Sequence, residues 1–571
     1  MDLPYGQNFK LHRPWLDKIL LKCPDCGSKA YREPFVLDTW HNSGASPYAS
    51  FTDKEYKDLV PVEFLTEGID QTRGWAYTLL IEHIILTERA EAPYKAFLFT
   101  GHVLDEKGRK MSKSLGNVID ALDILKSSSV DVLRFYLIWR NSPLDTLNFS
   151  ISEMDSRPYQ VLSTLYYMHI YFQQNSSYDG YNPADNTLDW ALKNKLLKPH
   201  ELWLLSNLQN LIANVSNGYK NCRYNESAKE IENFVIEILS QRYIPMTRSE
   251  IWDDRKETLN RRLAIYATLD NVLITLDVLF HPISPYLTEF LYQTLYAKSM
   301  RQKPTILLES WPRSNLDFVD KELELEFELL ANLISLSNTA RMKGRLKRRW
   351  PLRKAVFVIP KEKISKVEKH KEILRDQINV KEILLTSSLN KAKIILNIQP
   401  KYAALGPKLK NRMSILSSLL KASDPLEIYN QLNDKGFIMK RIDNEDFKLM
   451  KDELSISYTS DEKYIVLEKD GLIISLDIER DSDLIIMGVI RDLARRMQNL
   501  RKERGYNPTD IIEGAYVVCL DPELKKQIIS RSSDLTFLVR VKNVHISEKP
   551  YEGVNWVDVE MDGRTIKISV E

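Results

Sequence analysis

Cysteine is scarce in this sequence, with four in 571 residues. That scarcity excludes a disulfide-built scaffold and favours a reducing compartment, so a cytoplasmic location is expected. Long apolar runs are missing too. No stretch of about 18 uninterrupted apolar residues occurs, so neither a membrane span nor a membrane partner is expected. Met1 to Gly6 have no basic start and no apolar core, so no secretory signal is read there. Charge of one sign is not in excess: 80 Lys and Arg against 78 Asp and Glu leave a formal net charge of +2. A nucleic-acid surface must then arise from local clustering. No internal repeat and no low-complexity tract is visible. What is present, 43% hydrophobic and 28% charged residues, is the composition of a well-packed globular chain. Its length accommodates about three or four domains.

The pattern changes along the chain. Residues 1–35 are polar and carry Cys23-Pro24-Asp25-Cys26-Gly27. Between about 60 and 150, strand-like and helix-like stretches alternate, as in an α/β domain. The run 93–100 predicts a buried strand ending at Gly101, and 74–86 predicts a helix buried on most sides. From about 155 to 315 apolar residues recur at helical spacing and glycine is rare, which predicts an all-helical bundle. His281-Pro282-Ile283-Ser284-Pro285 should interrupt it and start a new helix at Tyr286. Beyond 316 the types mix, as in an α+β region. A long helix is predicted over 322–346, a strand over 355–359 and a helix over 487–504. A hairpin is expected to turn at Asp470-Gly471.

The stretch Gly108-Arg109-Lys110-Met111-Ser112-Lys113-Ser114-Leu115-Gly116-Asn117 follows the predicted strand and precedes a helix pattern starting near Asp120. Ligands of α/β sheets gather at the carboxyl ends of strands. Two ammonium groups neutralise phosphate oxygens and serine hydroxyls donate to them, so the loop suits a polyphosphate. By composition alone, an exposed basic turn is the commoner use of such a run. A second segment, Glu67-Gly68-Ile69-Asp70-Gln71-Thr72-Arg73-Gly74-Trp75, lies about 40 residues upstream. It reads either as an adenosine site or as a helix start with a capping Asp, and the two are compatible.

The order Lys-Met-Ser-Lys-Ser resembles the signature of the class I aminoacyl-tRNA synthetases. The segment from Glu67 to Trp75 resembles the adenylate-binding turn of the isoleucyl-tRNA synthetase family. Asp38-Thr39-Trp40-His41-Asn42-Ser43-Gly44 is similar to a third segment of that family, with His41-Asn42 where many members have Phe-Asp. Residues 203–219, 281–291 and 309–312 resemble its anticodon-binding helical domain, and 341–355 and 491–510 its C-terminal region. The resemblance implies four parts. Residues 1–35 would be the exit of the editing insertion with half a zinc knuckle, and 36–154 the second half of a Rossmann-type catalytic domain. Residues 155–315 would be the anticodon-binding bundle, and 316–571 a tRNA-contacting α+β region.

The resemblance also implies an activity: ATP-dependent activation of isoleucine, with Mg²⁺, and its transfer to isoleucine tRNA. Matched by position, Glu67, Gly68, Asp70 and Gln71 would contact the adenylate. Lys110 and Lys113 would act catalytically on the ATP phosphates, Lys113 being the residue expected to touch ATP. Trp75 would wall the amino-acid pocket or belong to the core.

Two absences qualify this. No His-x-Gly-His element, which in the family holds ATP from the other side, occurs here. Cys23 and Cys26 are the only Cys-x-x-Cys pair, whereas a structural Zn²⁺ needs about four ligands. His12 would still leave one lacking. Met1 is therefore expected to fall inside a longer enzyme, with a missing N-terminal half as partner. The alternative is a non-catalytic tRNA-binding paralogue or a subunit of a split enzyme. Residues 341–354 contain eight basic residues and no acid. They read as a solvated helix end or, given the resemblance, as a tRNA surface in which Arg345, Lys347, Arg348 and Arg349 meet phosphates and Trp350 stacks on a base. Arg491, Arg495, Arg496, Arg501, Lys502 and Arg504 form a second basic helix with the same two readings.

Overall fold

A computed structural model describes residues 13–35, 38–296, 303–561 and 564–571. The readings placed on Met1 to Gly6 and on His12 lie outside the described residues. The chain forms two compact units, one of Met1–Gln160 with Asn214–Glu230 and Ile283–Tyr286, the other of the remaining segments.

In the first unit the parallel strands Leu65–Gly68 and Phe97–Thr100 are joined through a short 3-10 turn, Ile69–Arg73, and the helix Trp75–Thr87. A second parallel pair, Val103–Leu104 with Leu147–Asn148, follows. Glu88, in the left-handed region at φ 58°, ends the helix by donating its N–H to Ile84 O. This helix is less covered than its sequence predicts. Ala76, Leu79 and His83 are buried, whereas Ile85 and Leu86 are 68% and 59% exposed and Tyr77 is 56% exposed. The strand Phe97–Thr100 is likewise half-buried rather than buried. Apolar continuity records that a surface is made to be covered, and does not say by what. A parallel sheet is ordinarily covered on both faces.

The second unit holds most of the helical stretch. Its core helix, Leu259–Phe280, buries fifteen of its residues. Residues 256–280 are long and apolar enough to cross a membrane by length and composition, although no uninterrupted apolar run exists there. The charges within it are consumed internally. Arg262 grips Asp179 with two bonds of 2.8 Å, Asp270 accepts from Tyr181 at 3.1 Å, and Asp277 meets His169 at 2.9 Å. Paired in this way, they make it the core helix of a bundle. The helix after the Pro-rich interruption begins at Pro285, one residue before the predicted start.

Beyond residue 316 the long helices are Lys321–Lys343 and Ser482–Glu503. The predicted strand is Leu352–Val358, and the hairpin Tyr464–Lys469 to Leu472–Asp477 turns at Asp470 and Gly471, both at positive φ. The region contains an internal repeat that the sequence does not disclose. One sheet runs Tyr464–Lys469, Leu472–Asp477, Leu352–Val358, Val380–Thr386; the other runs Val557–Met561, Arg564–Val570, Ile512–Val518, Val541–Ser547. In both, the last pair is parallel and the others antiparallel. In both, a long helix precedes the first strand and two short helices connect the parallel pair.

The correspondence extends to single hydrogen bonds. Arg341 donates to the carbonyls of Lys347 and Trp350, six and nine residues on, and to those of Ile378 and Asn379. Arg501 donates to Asn507 and Asp510, again six and nine residues on, and to Val539 and Arg540. Asn379 and Arg540 occupy the same left-handed position, at φ 55° and 54°. Leu352 N–H donates to Asn379 O and Ile512 N–H to Arg540 O, each at 3.2 Å. What the copies share is backbone geometry, an apolar pattern and one arginine. Too few residue identities survive for a repeat to be visible in the sequence. The first copy also carries an insertion with its own core, built on Leu405, Leu416, Leu432 and Leu449.

Candidate functional site

The segment from Glu67 leaves the sheet beside the end of Phe97–Thr100, and the lysine loop follows one short strand later, after Val103–Leu104. Glu67 pairs with Phe99 and Gly68 with Thr100, and Thr100 Oγ1 donates to Glu67 O at 3.3 Å. The Glu67-Gly68 turn lies at the carboxyl end of its strand, where α/β sheets take their ligands. After Gly68, the Asp70 carboxylate accepts from Gln71 Nε2 at 2.8 Å rather than from a helix N–H. The residue at the helix start is Gln71, whose Oε1 faces Trp75 N at 3.4 Å. This corrects the reading of Asp70 as the cap. A side chain at Gly68 would meet Asp70 Oδ1 at 2.7 Å, so the Asp70 carboxylate packs directly over this glycine.

Residues 38–44 pack against the same helix. Asp38 accepts from Trp40 N at 3.0 Å and starts the helix Thr39–Gly44. Gly44 approaches so closely that a Cβ would lie 2.9 Å from Thr78 C. Trp75 donates Nε1 to Ser43 O at 2.9 Å and meets Phe97 edge-on, so its ring ties these two segments together. His41 Nδ1 lies 3.1 Å from Glu82.

The lysine loop is organised by two residues that its basic composition does not advertise. Asp105 is 7% exposed. Its Oδ1 accepts from Lys107 N at 3.0 Å and Arg109 N at 2.8 Å, and its Oδ2 accepts from Arg109 Nε and Asn117 Nδ2 at 2.9 and 3.0 Å. Asn117 also donates to Lys110 O and accepts from Ser112 N. The Asn117 amide and the Arg109 N–H hold the Asp105 carboxyl well below the usual range. The loop thus closes on one carboxylate and one amide, with Gly108 and Gly116 at positive φ supplying the tight turns. Lys110 and Lys113 project outward, exposed, and make no ion pair among the described residues. The signal for Asp105 was the Asp-x-x-Gly turn just before the lysines; for Asn117 it was the Gly-Asn pair just after them.

Cys23 and Cys26 sit at the tip of the hairpin Leu21–Lys22 with Lys29–Ala30. Gly27 N donates to Cys23 O and Cys23 N to Ser28 O, folding the tip into a knuckle. Ser28, then Cys23, hydrogen-bonds Cys26 and lowers its thiol to about 7. Two thiols in this turn fit half of a tetrahedral metal site, but the described residues contribute no third ligand to it.

The basic run 341–354 is divided by the fold. Arg341 is 1% exposed, and burial pushes its guanidinium down to about 10. Lys347 lies 3.3 Å from Asp492 and Arg349 also pairs with Asp492. Arg345 and Arg348 are exposed and make no ion pair among the described residues. Trp350 is enclosed between Lys347 and Arg480, 4.7 and 4.3 Å from its ring. The second basic helix is mostly structural as well. Arg501, Arg504 and Arg496 bind backbone carbonyls, and Arg491 binds Asn379; Arg495 is exposed.

Residues 7–150 match the family of tRNA synthetases class I (I, L, M and V), and residues 201–356 match the anticodon-binding domain of tRNA ligase. Similar sequences include the isoleucine–tRNA ligase of Methanothermobacter thermautotrophicus, 32% identical over 481 residues that cover 83% of this chain and 45% of that protein. That of Methanopyrus kandleri is 29% identical over 588 residues, covering 100% of this chain and 53% of that protein. Among solved structures, a ternary complex of Agrobacterium radiobacter LeuRS with tRNA and LeuAMS aligns over 54% of this chain and 36% of that one, at 20% identity and a TM-score of 0.42. The chain belongs to the class I aminoacyl-tRNA synthetases, a family of ligases. Within that class it is a homologue of the isoleucine–tRNA ligases over most of its length, and it spans about half the length of those relatives.

Proposed function

We propose that this chain supplies the second half of the catalytic domain, the anticodon-binding bundle and the C-terminal region of an isoleucine–tRNA ligase. The observation that carries the reading is the order of the elements: the turn after Glu67-Gly68 leaves a parallel strand beside Phe97–Thr100, and the loop bearing Lys110 and Lys113 follows that second strand after one short strand, Val103–Leu104. Glu67, Gly68, Asp70 and Gln71 would hold the adenylate. Lys110 and Lys113, without internal counter-ions, would face the phosphates. ATP would arrive with Mg²⁺. A carboxylate oxygen of isoleucine attacks the α-phosphorus, the bond to pyrophosphate breaks, and the lysines neutralise the departing charge. A terminal ribose hydroxyl of the tRNA then takes the acyl group and AMP leaves. The chain's own contribution is positioning and charge stabilisation.

The exposed apolar side chains Tyr77, Ile85 and Leu86 of this helix support a further part of the reading: that another polypeptide segment completes the domain and brings the second wall of the ATP site. They equally favour a subunit of a split enzyme. Isoleucine-dependent ATP–pyrophosphate exchange should be low for the chain alone and rise on adding a polypeptide carrying the first half of such a catalytic domain. Lys113→Ala should then lower exchange about 100-fold or more. An unchanged rate in that variant would remove the lysine's role. Full activity of the chain alone would remove the need for a partner, and no exchange under any combination would favour a non-catalytic tRNA-binding paralogue.

A further inference from the structure

The lysine loop has two parts that are fastened differently. Its base, from Asp105 to Lys110, is tied to the sheet. Leu104 forms an antiparallel bridge with Lys110, and Leu104 O accepts from Phe149 N at 2.9 Å. Glu106 accepts from Ser150 Oγ at 2.6 Å. Lys110 therefore has a backbone anchored on a strand. The tip, Lys113–Leu115, is a single 3-10 turn. Leu115 N donates to Ser112 and Gly116 N to Lys113 O. Among the described residues, Lys113 to Gly116 make hydrogen bonds only within 112–116. Lys113 thus takes its placement from whatever holds Ser112.

Asn117 and Asp105 join the two parts. Asn117 Oδ1 accepts from Ser112 N at 2.9 Å, and its Nδ2 donates to Lys110 O at 3.1 Å and to Asp105 Oδ2 at 3.0 Å. One amide thereby binds the tip, the Lys110 carbonyl and the buried carboxylate at once. Asp105 in turn accepts from Lys107 N, Arg109 N, Arg109 Nε and Asn117 Nδ2. A carboxylate offers about four acceptor positions, so its capacity is spent inside the loop. None is left for a substrate proton. Its charge also sorts the cations around it. Arg109 is consumed, with Nη2 2.8 Å from Asp105 Oδ2, whereas Lys110 and Lys113 are left for a ligand.

We propose that Asp105 and Asn117 are positioning residues for the adenylation step. They touch neither ATP nor the amino acid. They fix Lys110 and Lys113 relative to each other, so that both ammonium groups meet the departing pyrophosphate together. Such placement has a large effect on rate, because a misplacement of about 1 Å at a reacting centre costs about 100-fold. This inference rests on the reading of the lysine loop as the phosphate site of a ligase, and the experiment separates the two.

Asn117→Asp leaves both lysines in place, sets a second carboxylate where the amide lies 3.0 Å from Asp105, and removes both donated bonds. In isoleucine-dependent ATP–pyrophosphate exchange, with the complementing polypeptide present, kcat should fall about 100-fold and the ATP KM should change far less. Asp105→Asn combined with Asn117→Asp exchanges the two groups and restores a donor facing an acceptor, so it should recover about tenfold of the loss. Rescue by that swap is a readout that simple loss of folding does not give. In the chain alone, hydrogen exchange over 105–117 should quicken in Asn117→Asp and slow again in the double variant. Unchanged hydrogen exchange in Asn117→Asp would show that the pair does not hold the loop, and would overturn the proposal. So would a double variant as slow as Asn117→Asp. Parental kcat in Asn117→Asp, with Lys113→Ala impaired, would overturn the positioning role and leave the ligase reading intact. No exchange by the parental pair of polypeptides would overturn both.

Discussion

Glu201 is fully buried and still charged. Burial alone would raise its carboxyl, but His200 and Arg261 pull it down to about 2 from an ordinary 4.5. Arg261 donates to it at 2.8 Å and Tyr243 at 3.1 Å. A carboxyl whose folded value lies below its unfolded one stabilises the fold above the unfolded value and loses that contribution as pH falls through the folded one. Thermal stability should therefore fall between about pH 4.5 and 2, followed by circular dichroism. Glu201→Gln should cost about 3 kcal/mol or more at neutral pH, because Arg261 loses a buried partner. It should also flatten the acid limb. An acid limb of unchanged steepness in the variant would mean that Glu201 does not carry it. At this scale the sequence singled out Lys110 and Lys113 by the order of residues around them. It marked Asp105 only as the first residue of an Asp-x-x-Gly turn, because a carboxylate that closes a loop looks like any acidic turn residue until its four donors are in place.

At the scale of elements, the repeated modules are each fastened by one buried arginine. Arg341 and Arg501 each satisfy four carbonyl oxygens at the junction of a helix end, a loop and a left-handed cap. Replacing either with Met would leave buried acceptors unpaired, each costing about 1–3 kcal/mol. Arg341→Met and Arg501→Met should each lower the denaturation midpoint substantially, whereas Arg345→Met, exposed on the adjoining turn, should change it little. Equal, small effects from all three would show that the carbonyls find water instead. Helix and strand positions were largely legible, including the Asp470-Gly471 turn, because period and turn chemistry are local. The duplication was not, because what the two copies conserve is a hydrogen-bond geometry that spans about 40 residues.

For the molecule as a whole, tRNA binding should not require a complete ATP site. The chain is expected to bind isoleucine tRNA in preference to unrelated tRNAs, with affinity falling steeply as salt rises. Of the basic set at 345–349, Arg345 and Arg348 are the pair available to phosphates, since Lys347 and Arg349 engage Asp492. Neutralising Arg345 and Arg348 should reduce the salt slope by about two and leave the melting temperature unchanged. Neutralising Lys347 and Arg349 should instead destabilise the contact with Asp492. If the first pair leaves RNA affinity unaltered, that turn is a solvated helix end. Equal affinity for all tRNAs would mean that the bundle does not select in isolation.

By itself the sequence determined the family. It did so through the Lys-Met-Ser-Lys-Ser loop and the Glu67–Trp75 segment, whose residue order is more specific than their composition. It also determined the succession of α/β, helical and mixed stretches, because periodicity follows from which side of an element is dry. Only the tertiary structure decided which arginines are free and which are fastened inside. Charge in a sequence carries no record of the carbonyls that surround it in space. Only the tertiary structure disclosed the twin modules and the exposed apolar side chains of the helix Trp75–Thr87, because both depend on contacts between residues far apart in the chain or on contacts that the described residues leave unmade.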